Sequence, residues 1–355
     1  MIQTKGESIS VELSKSSSVV FRVSGVVGKG VFSTVLKCVV EGSSASTQLP
    51  PHVAIKFIRH NATMAQAALK EIRFLQRFSS SPGVIPLLLP TSNAPLEYRG
   101  HTLLVFPHMQ YNLRDILKKY GQGLGISLSA VRSYFGQLLA ALNHLMQHNI
   151  IHSDLKPDNI LVSEDFSSVS ICDFGSAVDG DERTEMITPY LVSRFYRAPE
   201  IILGLEPSYA IDLWSLAVTV AELFLGKVLF KGMNNNDMLN QMMQHMGPIS
   251  NRLIRQHLVQ TKKFPLPAHF TQEAANYIFR AETVDPVSGQ PVHKATLLQS
   301  FSQPSLQTKL LKAKSAKDDR TLVLRFSDLL KKCLALDPTR RISVKAARTH
   351  DFFKE

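Results

Sequence analysis

The feature of this sequence that most restricts its fold is a change of pattern near Asn112. Before that residue, stretches such as VVFRVSGVV and STVLKCVV are rich in β-branched residues and are separated by glycines, which is typical of strands joined by turns. After it, segments such as SLSAVRSYFGQLLAALNHLMQ repeat leucine at helical spacing. The pattern predicts an α+β chain, with a small strand-rich N-terminal part and a larger helical C-terminal part.

Two segments depart from this division. Within the strand-rich part, ATMAQAALKEIRFLQRF has helical spacing, which predicts a single helix. Its broad apolar stripe consists of Leu69, Ile72, Phe74, Leu75 and Phe78. Between about Gly247 and Asp319, prolines and polar runs blur the pattern. We expect an insertion of mixed loop and helix there.

Length and composition limit the class of protein. The chain has 355 residues, 44% hydrophobic and 19% charged, which is enough to build the cores of two domains of moderate size. Its formal net charge of +11 predicts attraction to phosphate-bearing or acidic partners. Three scattered cysteines, Cys38, Cys172 and Cys333, are too few for a disulfide framework or a metal site. Because MIQTKGESIS also lacks the apolar core of a secretion signal, we expect a reducing compartment, the cytoplasm or the nucleus.

The most apolar run, SLAVTVAELFLGKVLF, does not predict a membrane span. Glu222 and Lys227 interrupt it well short of the ~20 apolar residues that a span needs. We expect a buried central helix instead.

Three histidines, His144, His148 and His152, recur every four residues, as on a zinc-binding helix face. The glutamate of an H-E-x-x-H motif is missing between them. We therefore expect no zinc site at these residues.

A glycine-rich turn, GKGVFSTV from Gly28, lies between two predicted strands. Glycines let backbone N–H groups approach phosphate oxygens without obstruction by side chains. Taken singly, such a short pattern is more often an ordinary hairpin turn.

The next elements change this interpretation: VAIK ends a strand at Lys56, and Glu71 follows on the predicted helix. A lysine held by a helix glutamate can contact the phosphates of a nucleotide.

The segment IHSDLKPDNI contains residues suited to act on the substrate hydroxyl and on the transferred phosphoryl group of such a nucleotide. Asp154 can accept a hydrogen bond from a substrate hydroxyl, Lys156 can neutralise charge on the moving phosphoryl group, and Asn159 can hold Mg²⁺. Further on, ICDFGSA supplies Asp173, a second metal-binding carboxylate. An unrelated sequence rarely contains all these residues in this order, so the set predicts phosphoryl transfer from ATP with Mg²⁺.

With APE ending at Glu200, IDLW with Asp212 and DPTRRIS with Arg341, the chain resembles the eukaryotic protein kinases from about Phe21 to Phe353. This resemblance implies a two-lobed α+β fold with ATP in a cleft beneath the glycine turn. It implies a flank at 1–20, an N-lobe with its hinge at 21–109 and a C-lobe at 110–355, including the insertion at about 247–319. Glu200 and Arg341 resemble the buried ion pair of the large lobe.

The resemblance also assigns the site residues. The catalytic set is Asp154, Lys156, Lys56 and Glu71, and the metal ligands are Asn159 and Asp173. The ATP contacts are Gly28, Lys29, Gly30, Val31, Phe32, Ser33, Val35, Ala54, Lys56, Phe106, Pro107, Met109, Asn159, Leu161 and Asp173. Ser33 replaces the usual third glycine, Phe106 would back the adenine pocket, and Met109 would offer backbone contacts to adenine. ATP-competitive small molecules are expected to bind there too.

Finer features resemble one branch of the family. TPYLVSRFYRAPEIILG is similar to the CMGC group, whose members carry an insertion like the one after Gly247. Within that group, segments such as NLRDILKKYG and HSDLKPDNILVSEDF resemble the pre-mRNA-processing Prp-four kinases, which are related to the DYRK kinases. The resemblance implies a nuclear serine/threonine kinase of splicing proteins, with the cytoplasm as an alternative location, and a preference for proline after the target residue. We expect the chain to be a monomer.

Alternative functions remain open. A pseudokinase scaffold for spliceosome assembly is the main one, and a small-molecule kinase is another, but the complete set of metal and phosphate residues favours activity on protein. Direct RNA binding is not expected, because the basic run QTKLLKAKSAKDDR has no interleaved aromatic residues for stacking.

Ser153 stands where many kinases have an arginine that holds a phosphorylated activation loop. The substitution leaves Asp154 untouched, so chemistry can survive under a different control. Tyr190 is followed by Arg194 and Arg197, which predicts that a phosphate on Tyr190 binds these guanidinium groups. The resemblance to the DYRK kinases implies that the kinase adds this phosphate itself. The alternative is that Tyr190 packs beneath the loop while the arginines pair with carboxylates. Thr188 is a second candidate for modification.

Overall fold

The computed structural model describes residues 5–14, 17–30, 33–43, 49–59, 61–77, 82–92, 94–182, 188–284, 290–301, 305–313 and 315–354. The chain divides into two compact units: residues 1–112 with 161–177, and residues 113–160 with 178–355.

The strands, in chain order, are β1 (Ser8–Ser14), β2 (Ser17–Lys29), β3 (Ser33–Ser43), β4 (His52–Ile58), β5 (Leu96–Tyr98), β6 (His101–Pro107), β7 (Tyr111–Asn112), β8 (Ile150–Ile151), β9 (Ile160–Val162), β10 (Val169–Ile171), β11 (Val178–Asp179), β12 (Phe270–Glu273), β13 (Asn276–Val284) and β14 (Pro291–Leu297). The α-helices are α1 (Ala62–Gln76), α2 (Leu113–Lys119), α3 (Leu128–Gln147), α4 (Pro199–Ile202), α5 (Ala210–Leu225), α6 (Asn235–Met246), α7 (Asn251–Lys263), α8 (Leu306–Ala313), α9 (Arg320–Cys333) and α10 (Val344–Arg348).

The first unit is built on an antiparallel sheet of six strands in the order β1-β2-β3-β4-β6-β5. Alternation along β4 shows how the sheet divides its faces: Val53, Ile55 and Phe57 are buried, whereas Ala54 and Lys56 turn to the other side. The strand β1 comes from the predicted N-terminal flank and extends this sheet.

The predicted helix in the first unit is α1. The Oδ1 of Asn61 accepts a hydrogen bond from the Thr63 N–H at 2.9 Å and caps the helix. Of the predicted stripe, Ile72, Phe74 and Leu75 are buried and Leu69 is half-buried, whereas Phe78 lies outside the described residues. Glu71 is buried with them, so the apolar side of this helix carries one carboxylate.

The second unit is helical around α5, whose residues from Ile211 to Leu225 are all buried. A helix buried on every side needs no polar face, which explains why its sequence resembled a membrane segment. The expected buried central helix is confirmed. Among the described residues, no helix is both long and apolar enough to cross a membrane.

The insertion contains more strand than we expected. After α7, strands β12, β13 and β14 form an antiparallel three-stranded sheet. Phe270 and Phe279 pack with ring centroids 5.3 Å apart, and Phe279 is fully buried. The prediction of mixed loop and helix there was incomplete. The buried residues of β13 include Ile278 and Phe279 side by side, so its apolar residues do not alternate strictly with polar ones as in a typical half-buried strand.

The predicted ion pair of Glu200 and Arg341 is confirmed. Two guanidinium nitrogens donate to the two carboxylate oxygens at 2.7 and 2.9 Å, and the side chains are 1% and 0% exposed. Arg341 also donates to the Ala210 carbonyl at 2.7 Å and lies 5.1 Å from the Trp214 ring. The pair therefore anchors α4 to the start of α5.

Candidate active site

The predicted phosphate-binding turn joins β2 and β3. Gly28 pairs with Val35, and the Gly30 N–H donates to the Ser33 carbonyl at 2.8 Å, so strand pairing continues to the edge of the turn. Gly28, Lys29 and Gly30 are all exposed. Val31 and Phe32, which were predicted to contact ATP, lie outside the described residues.

Strand pairing brings several predicted ATP contacts to one face of the sheet. Val35 pairs with Lys56, and Ala54 pairs with Phe106. Paired residues of antiparallel strands point to the same side, and residues two apart on one strand do so too. The four side chains therefore share the face that is not packed into the core.

The remaining predicted contacts of the first unit follow from two neighbouring segments. Pro107 ends β6, and Pro107 and Met109 are both half-buried. Leu161 pairs with Asn112 in the small sheet β10-β9-β7 and is half-buried, whereas Val162 beside it is buried.

Lys56 is bound by two carboxylates of the first unit. Its Nζ donates to the Glu71 carboxylate oxygens at 2.7 and 2.8 Å and to Asp173 Oδ1 at 2.8 Å. Burial acts to lower the pKa of Lys56, but the charges of Glu71 and Asp173 outweigh it and raise that pKa, so the ammonium stays charged. Burial raises the pKa of Glu71, and the Lys56 ammonium offsets part of that shift. The result is a cation of fixed orientation beside an acidic side chain.

Asp173 is held in an unusual backbone conformation. Its φ of 66° lies in the left-handed region, which residues other than glycine rarely adopt and which occurs often at functional sites. Its side chain is 47% exposed, whereas Phe174 beside it is buried. An exposed carboxylate on an anchored backbone fits a ligand of Mg²⁺, which prefers oxygen.

In the second unit, Asp154 lies at the centre of a hydrogen-bond cluster. Lys156 Nζ donates to its Oδ2 at 2.6 Å, and Ser193 Oγ donates to its Oδ1 at 2.7 Å. Lys156 Nζ also donates to Ser193 Oγ at 3.0 Å. The carboxylate is thus held in one orientation and paired with a cation.

Asn159 contacts the same aspartate. Its Nδ2 donates to the Asp154 carbonyl at 2.9 Å and to Asp154 Oδ2 at 3.2 Å. Because the amide nitrogen is directed to Asp154, the acceptor end of the side chain is its Oδ1. This arrangement fits the predicted role of Asn159 as an oxygen ligand of Mg²⁺.

The loop before Asp154 is held by a buried residue of α5. The Asp212 carboxylate accepts hydrogen bonds from the backbone N–H groups of His152 at 2.7 Å and Ser153 at 2.9 Å. Burial raises the pKa of Asp212, and these donors act against that shift. Ser153 itself is fully buried with φ 66°, and its Oγ has no partner within the part of the chain that the structure describes.

Arg197 organises the segment that contains Tyr190. Its guanidinium donates to the carbonyls of Tyr190 at 3.1 Å, Leu191 at 2.8 Å and Val192 at 2.8 Å, and to Asn235 Oδ1 at 2.5 Å. Burial, and then Arg194, lower the pKa of Arg197 to about 10. The residue therefore already has a structural role in the absence of any phosphate.

The other predicted regulatory residues lie close by on the surface. Tyr190 is 72% exposed, with its ring 6.0 Å from the Arg197 guanidinium. Arg194 donates to the Met233 carbonyl at 2.5 Å, and the Tyr190 N–H donates to Thr188 Oγ1 at 3.4 Å. Over the described ranges, neither arginine pairs with a carboxylate, and Tyr190 does not pack beneath the loop.

Comparison with known proteins identifies the class of protein. The protein kinase domain family model matches residues 21–353, and the chain belongs to the protein kinase family. The serine/threonine-protein kinase prp4 of Schizosaccharomyces pombe is 38% identical over 330 residues, which cover 92% of this chain and 65% of that protein. For the serine/threonine-protein kinase prpf4B of Dictyostelium discoideum, the identity is 38% over 347 residues, 94% of this chain and 40% of that protein.

A more distant relative is the dual specificity tyrosine-phosphorylation-regulated kinase 2 of Drosophila melanogaster, 36% identical over 233 residues, 64% of this chain and 30% of that protein. These matches confirm the predicted protein kinase family and the resemblance to the Prp4 and DYRK-related branch. The α+β kinase fold is confirmed as well. The chain spans less than two thirds of the length of each of these three relatives.

Two residues with clear contacts in the site were not predicted as site residues. Ser193 bonds both Asp154 and Lys156, and Asp212 was noted only as part of a matching motif. Ser193 follows Asp154 by 39 residues, so no local pattern in the sequence signals the contact.

Proposed function

We propose that this chain transfers the γ-phosphoryl group of Mg-ATP to serine or threonine residues of proteins. The observation that carries the proposal is the Asp154 cluster, in which a carboxylate is oriented by Ser193 and paired with the Lys156 ammonium. A substrate hydroxyl that donates to Asp154 would be oriented for attack, and Lys156 would stabilise charge on the transferred group. The relatives named as serine/threonine-protein kinases support the same reaction.

The other predicted residues take supporting roles. Lys56, fixed by Glu71, would bind the phosphates of ATP, and the sheet face with Ala54 and Phe106 would contact the adenine. Asn159 and Asp173 would each offer an oxygen ligand to Mg²⁺, which would neutralise phosphate charge when bound.

The proposed substrates are splicing-related proteins in the nucleus. Support comes from the similarity to prp4 and prpf4B and from the resemblance to pre-mRNA-processing kinases. The chain would act as a monomer that binds its protein substrates without direct contact to RNA. ATP-competitive small molecules would bind at the same sheet face as adenine.

We propose a preference for proline directly after the target residue, which the backbone at Val192 supports. This β-branched residue has φ 67°, and its carbonyl accepts hydrogen bonds from Arg197 at 2.8 and 3.2 Å. We propose that this carbonyl offers no acceptor for the N–H of the residue after the target. Proline lacks that donor, so it loses nothing on binding, whereas other residues leave a donor unsatisfied.

We also propose that the kinase phosphorylates its own Tyr190 and that Arg194 and Arg197 bind the phosphate. The exposed ring and the absence of carboxylate partners for both arginines, within the described residues, support this mode of control. The phosphate would add about −1.5 to −2 charge and three acceptor oxygens beside the two guanidinium groups.

The alternative is a pseudokinase that acts as a scaffold in spliceosome assembly. The pairing of Lys56 with Glu71 and the intact Asp154 cluster favour an active enzyme. The test is a transfer assay with purified chain, radiolabelled ATP, Mg²⁺ and peptides that differ only in serine, threonine or tyrosine as acceptor. We expect label on the serine and threonine peptides and none when Mg²⁺ is chelated; label on none of the peptides would favour the scaffold.

A further inference from the structure

A cavity of about 680 Å³ lies within the second unit, next to the segment that contains Tyr190. Three parts of the chain line it: that segment with Arg194 and Arg197, the start of α6, and the insertion with Arg280. The volume falls within the range of about 300 to 1,000 Å³ typical of ligand sites and exceeds what a single phosphate group needs.

The lining is strongly basic. Three arginines, Arg194, Arg197 and Arg280, face the cavity together with one carboxylate, Glu282, whose Oε2 accepts a hydrogen bond from Asn234 Nδ2 at 2.7 Å. Across the described ranges, none of the three guanidinium groups forms an ion pair with a carboxylate. The N-terminus of α6 adds the positive end of a helix dipole. The cavity therefore favours an anion.

A buried donor in the same lining supports this inference. Asn236 is fixed by its Oδ1, which accepts from the Glu282 N–H at 2.8 Å, and its Nδ2 lies 3.1 Å from His269 Nδ1. Because Asn236 Nδ2 is a donor, His269 Nδ1 is the acceptor, and the proton of the neutral ring sits on Nε2. Burial lowers the pKa of His269 to about 3, which keeps the ring neutral.

This Nε2–H group is a donor without a hydrogen-bond partner in the described part of the chain, although His269 is only 4% exposed. Buried polar groups in native proteins are nearly always satisfied by protein, water or ligand. His269 and Arg280 both belong to the cavity lining, so an anion held by Arg280 on this side of the cavity is the class of ligand that could offer an acceptor to this donor.

A chain of contacts connects the cavity to the proposed catalytic residue. Asp154 bonds Ser193, Val192 adjoins Ser193, and Arg197 bridges the Val192 carbonyl to Asn235 at the cavity lining. An extended peptide covers about 3.3 Å per residue. A peptide that places its target hydroxyl at Asp154 and its next residue at Val192 thus reaches the cavity a few residues further on.

We propose that this cavity binds a phosphorylated serine or threonine of the peptide substrate, on the C-terminal side of the residue to be phosphorylated. The inference rests on the proposed kinase function, and it assigns to the insertion, through Arg280 and His269, the recognition of a phosphate already present on the substrate. Arg194 and Arg197 line the side of the cavity next to Tyr190, where they would bind the phosphate of Tyr190. Arg280 and His269 line the side formed by the insertion, where the substrate phosphate would bind.

The test compares Ser-Pro peptides with phosphoserine, serine or aspartate at successive positions after the proline. The readout is the ratio of kcat/KM for the phosphoserine peptide to that for its serine counterpart. We expect wild-type protein to give a ratio of about tenfold or more at one or two neighbouring positions, from charge-assisted hydrogen bonds to the phosphate. Aspartate should recover only part of it. Arg280→Gln should bring the ratio close to one, whereas Arg255→Gln, a matched change of an exposed arginine of α7, should leave it intact.

A wild-type ratio near one at every position would overturn the proposal, as would an undiminished ratio in Arg280→Gln. The serine peptide reports general loss of activity in the same experiment. A second measurement, fluorescence anisotropy of the labelled phosphoserine and serine peptides without ATP, needs no turnover. It tests the site even if the chain transfers no phosphate, and equal affinity for the two peptides would again overturn the inference.

Discussion

Ser193 Oγ donates a hydrogen bond to Asp154 Oδ1 at 2.7 Å, and it accepts one from Lys156 Nζ at 3.0 Å. One hydroxyl thus connects the proposed base to the cation that pairs with it. Ser193 belongs to the segment that also carries Val192 and Arg197. The position of this segment and the orientation of Asp154 are therefore coupled.

This coupling predicts that loss of the Ser193 hydroxyl lowers kcat, whereas a substitution that keeps the hydroxyl does not. Ser193→Ala removes a donor to a charged carboxylate, which is worth about 1.5 to 3 kcal/mol, so kcat should fall by roughly 10- to 100-fold. Ser193→Thr keeps the hydroxyl and should retain most of the activity. Steady-state kinetics on one peptide checks both variants, and equal rates for Ala and Thr would show that the hydroxyl has no positioning role.

The buried pair of Glu200 and Arg341 predicts a change in stability. Glu200→Gln leaves a guanidinium that is 0% exposed without its carboxylate, so the free energy of unfolding should fall by about 3 to 5 kcal/mol. Glu41→Gln is the matched control, because Glu41 pairs with Arg22 at 2.6 Å with side chains 31% and 57% exposed. It should cost at most about 1 kcal/mol. Urea unfolding measures both, and similar losses in the two variants would contradict the structural role.

These examples show what the sequence can and cannot predict. The residues of the glycine turn, Lys56, Asp154 and Asp173 stand in short motifs whose order alone indicates their chemistry. The contact of Ser193 with Asp154 depends on how two distant segments pack, and no local pattern encodes that.

The insertion shows a second limit. Its sheet was not predicted because apolar and polar residues do not alternate regularly in β13 and β14: Ile278 and Phe279 are neighbours and both buried, whereas the apolar Val292 and Leu297 are exposed. Arg280 and His269 consequently had no expected role until the fold placed them beside Arg197 in one lining.

A proline preference caused by the missing N–H can be distinguished from one caused by the shape of the proline ring. Peptides with proline, alanine or N-methylalanine after the target serine differ in whether that residue carries an N–H. If the Val192 carbonyl is taken by Arg197, peptides without the N–H should have a higher kcat/KM, by about tenfold, than the alanine peptide. N-methylalanine should resemble proline, and equal values for alanine and proline would rule out this mechanism.

Control by Tyr190 predicts that active protein carries phosphate on this residue and that removing its hydroxyl lowers kcat. Intact-mass analysis and peptide mapping of active protein should find phosphate on Tyr190, and Tyr190→Phe should lower kcat. Tyr120→Phe, at another exposed tyrosine of the second unit, should leave kcat unchanged. Active protein with unmodified Tyr190 would end the proposal.

Arg194→Ala is the sharper test of the phosphate clamp. Arg197 also holds three backbone carbonyls, so its replacement would disturb the segment with or without phosphate. Within the described residues, the Arg194 side chain donates one hydrogen bond, to the Met233 carbonyl at 2.5 Å, so Arg194→Ala should lower activity mainly in the phosphorylated form.

The central claim is that Asp154 acts in phosphoryl transfer, and Asp154→Asn tests it most directly. Asparagine keeps the size of the side chain but loses the charged acceptor for a substrate hydroxyl. In a transfer assay with Mg-ATP and a serine peptide, we expect kcat to fall by about 10²- to 10⁴-fold while the Kd for ATP, measured by calorimetry on the same preparation, changes little. Wild-type turnover by this variant would remove Asp154 from its proposed role.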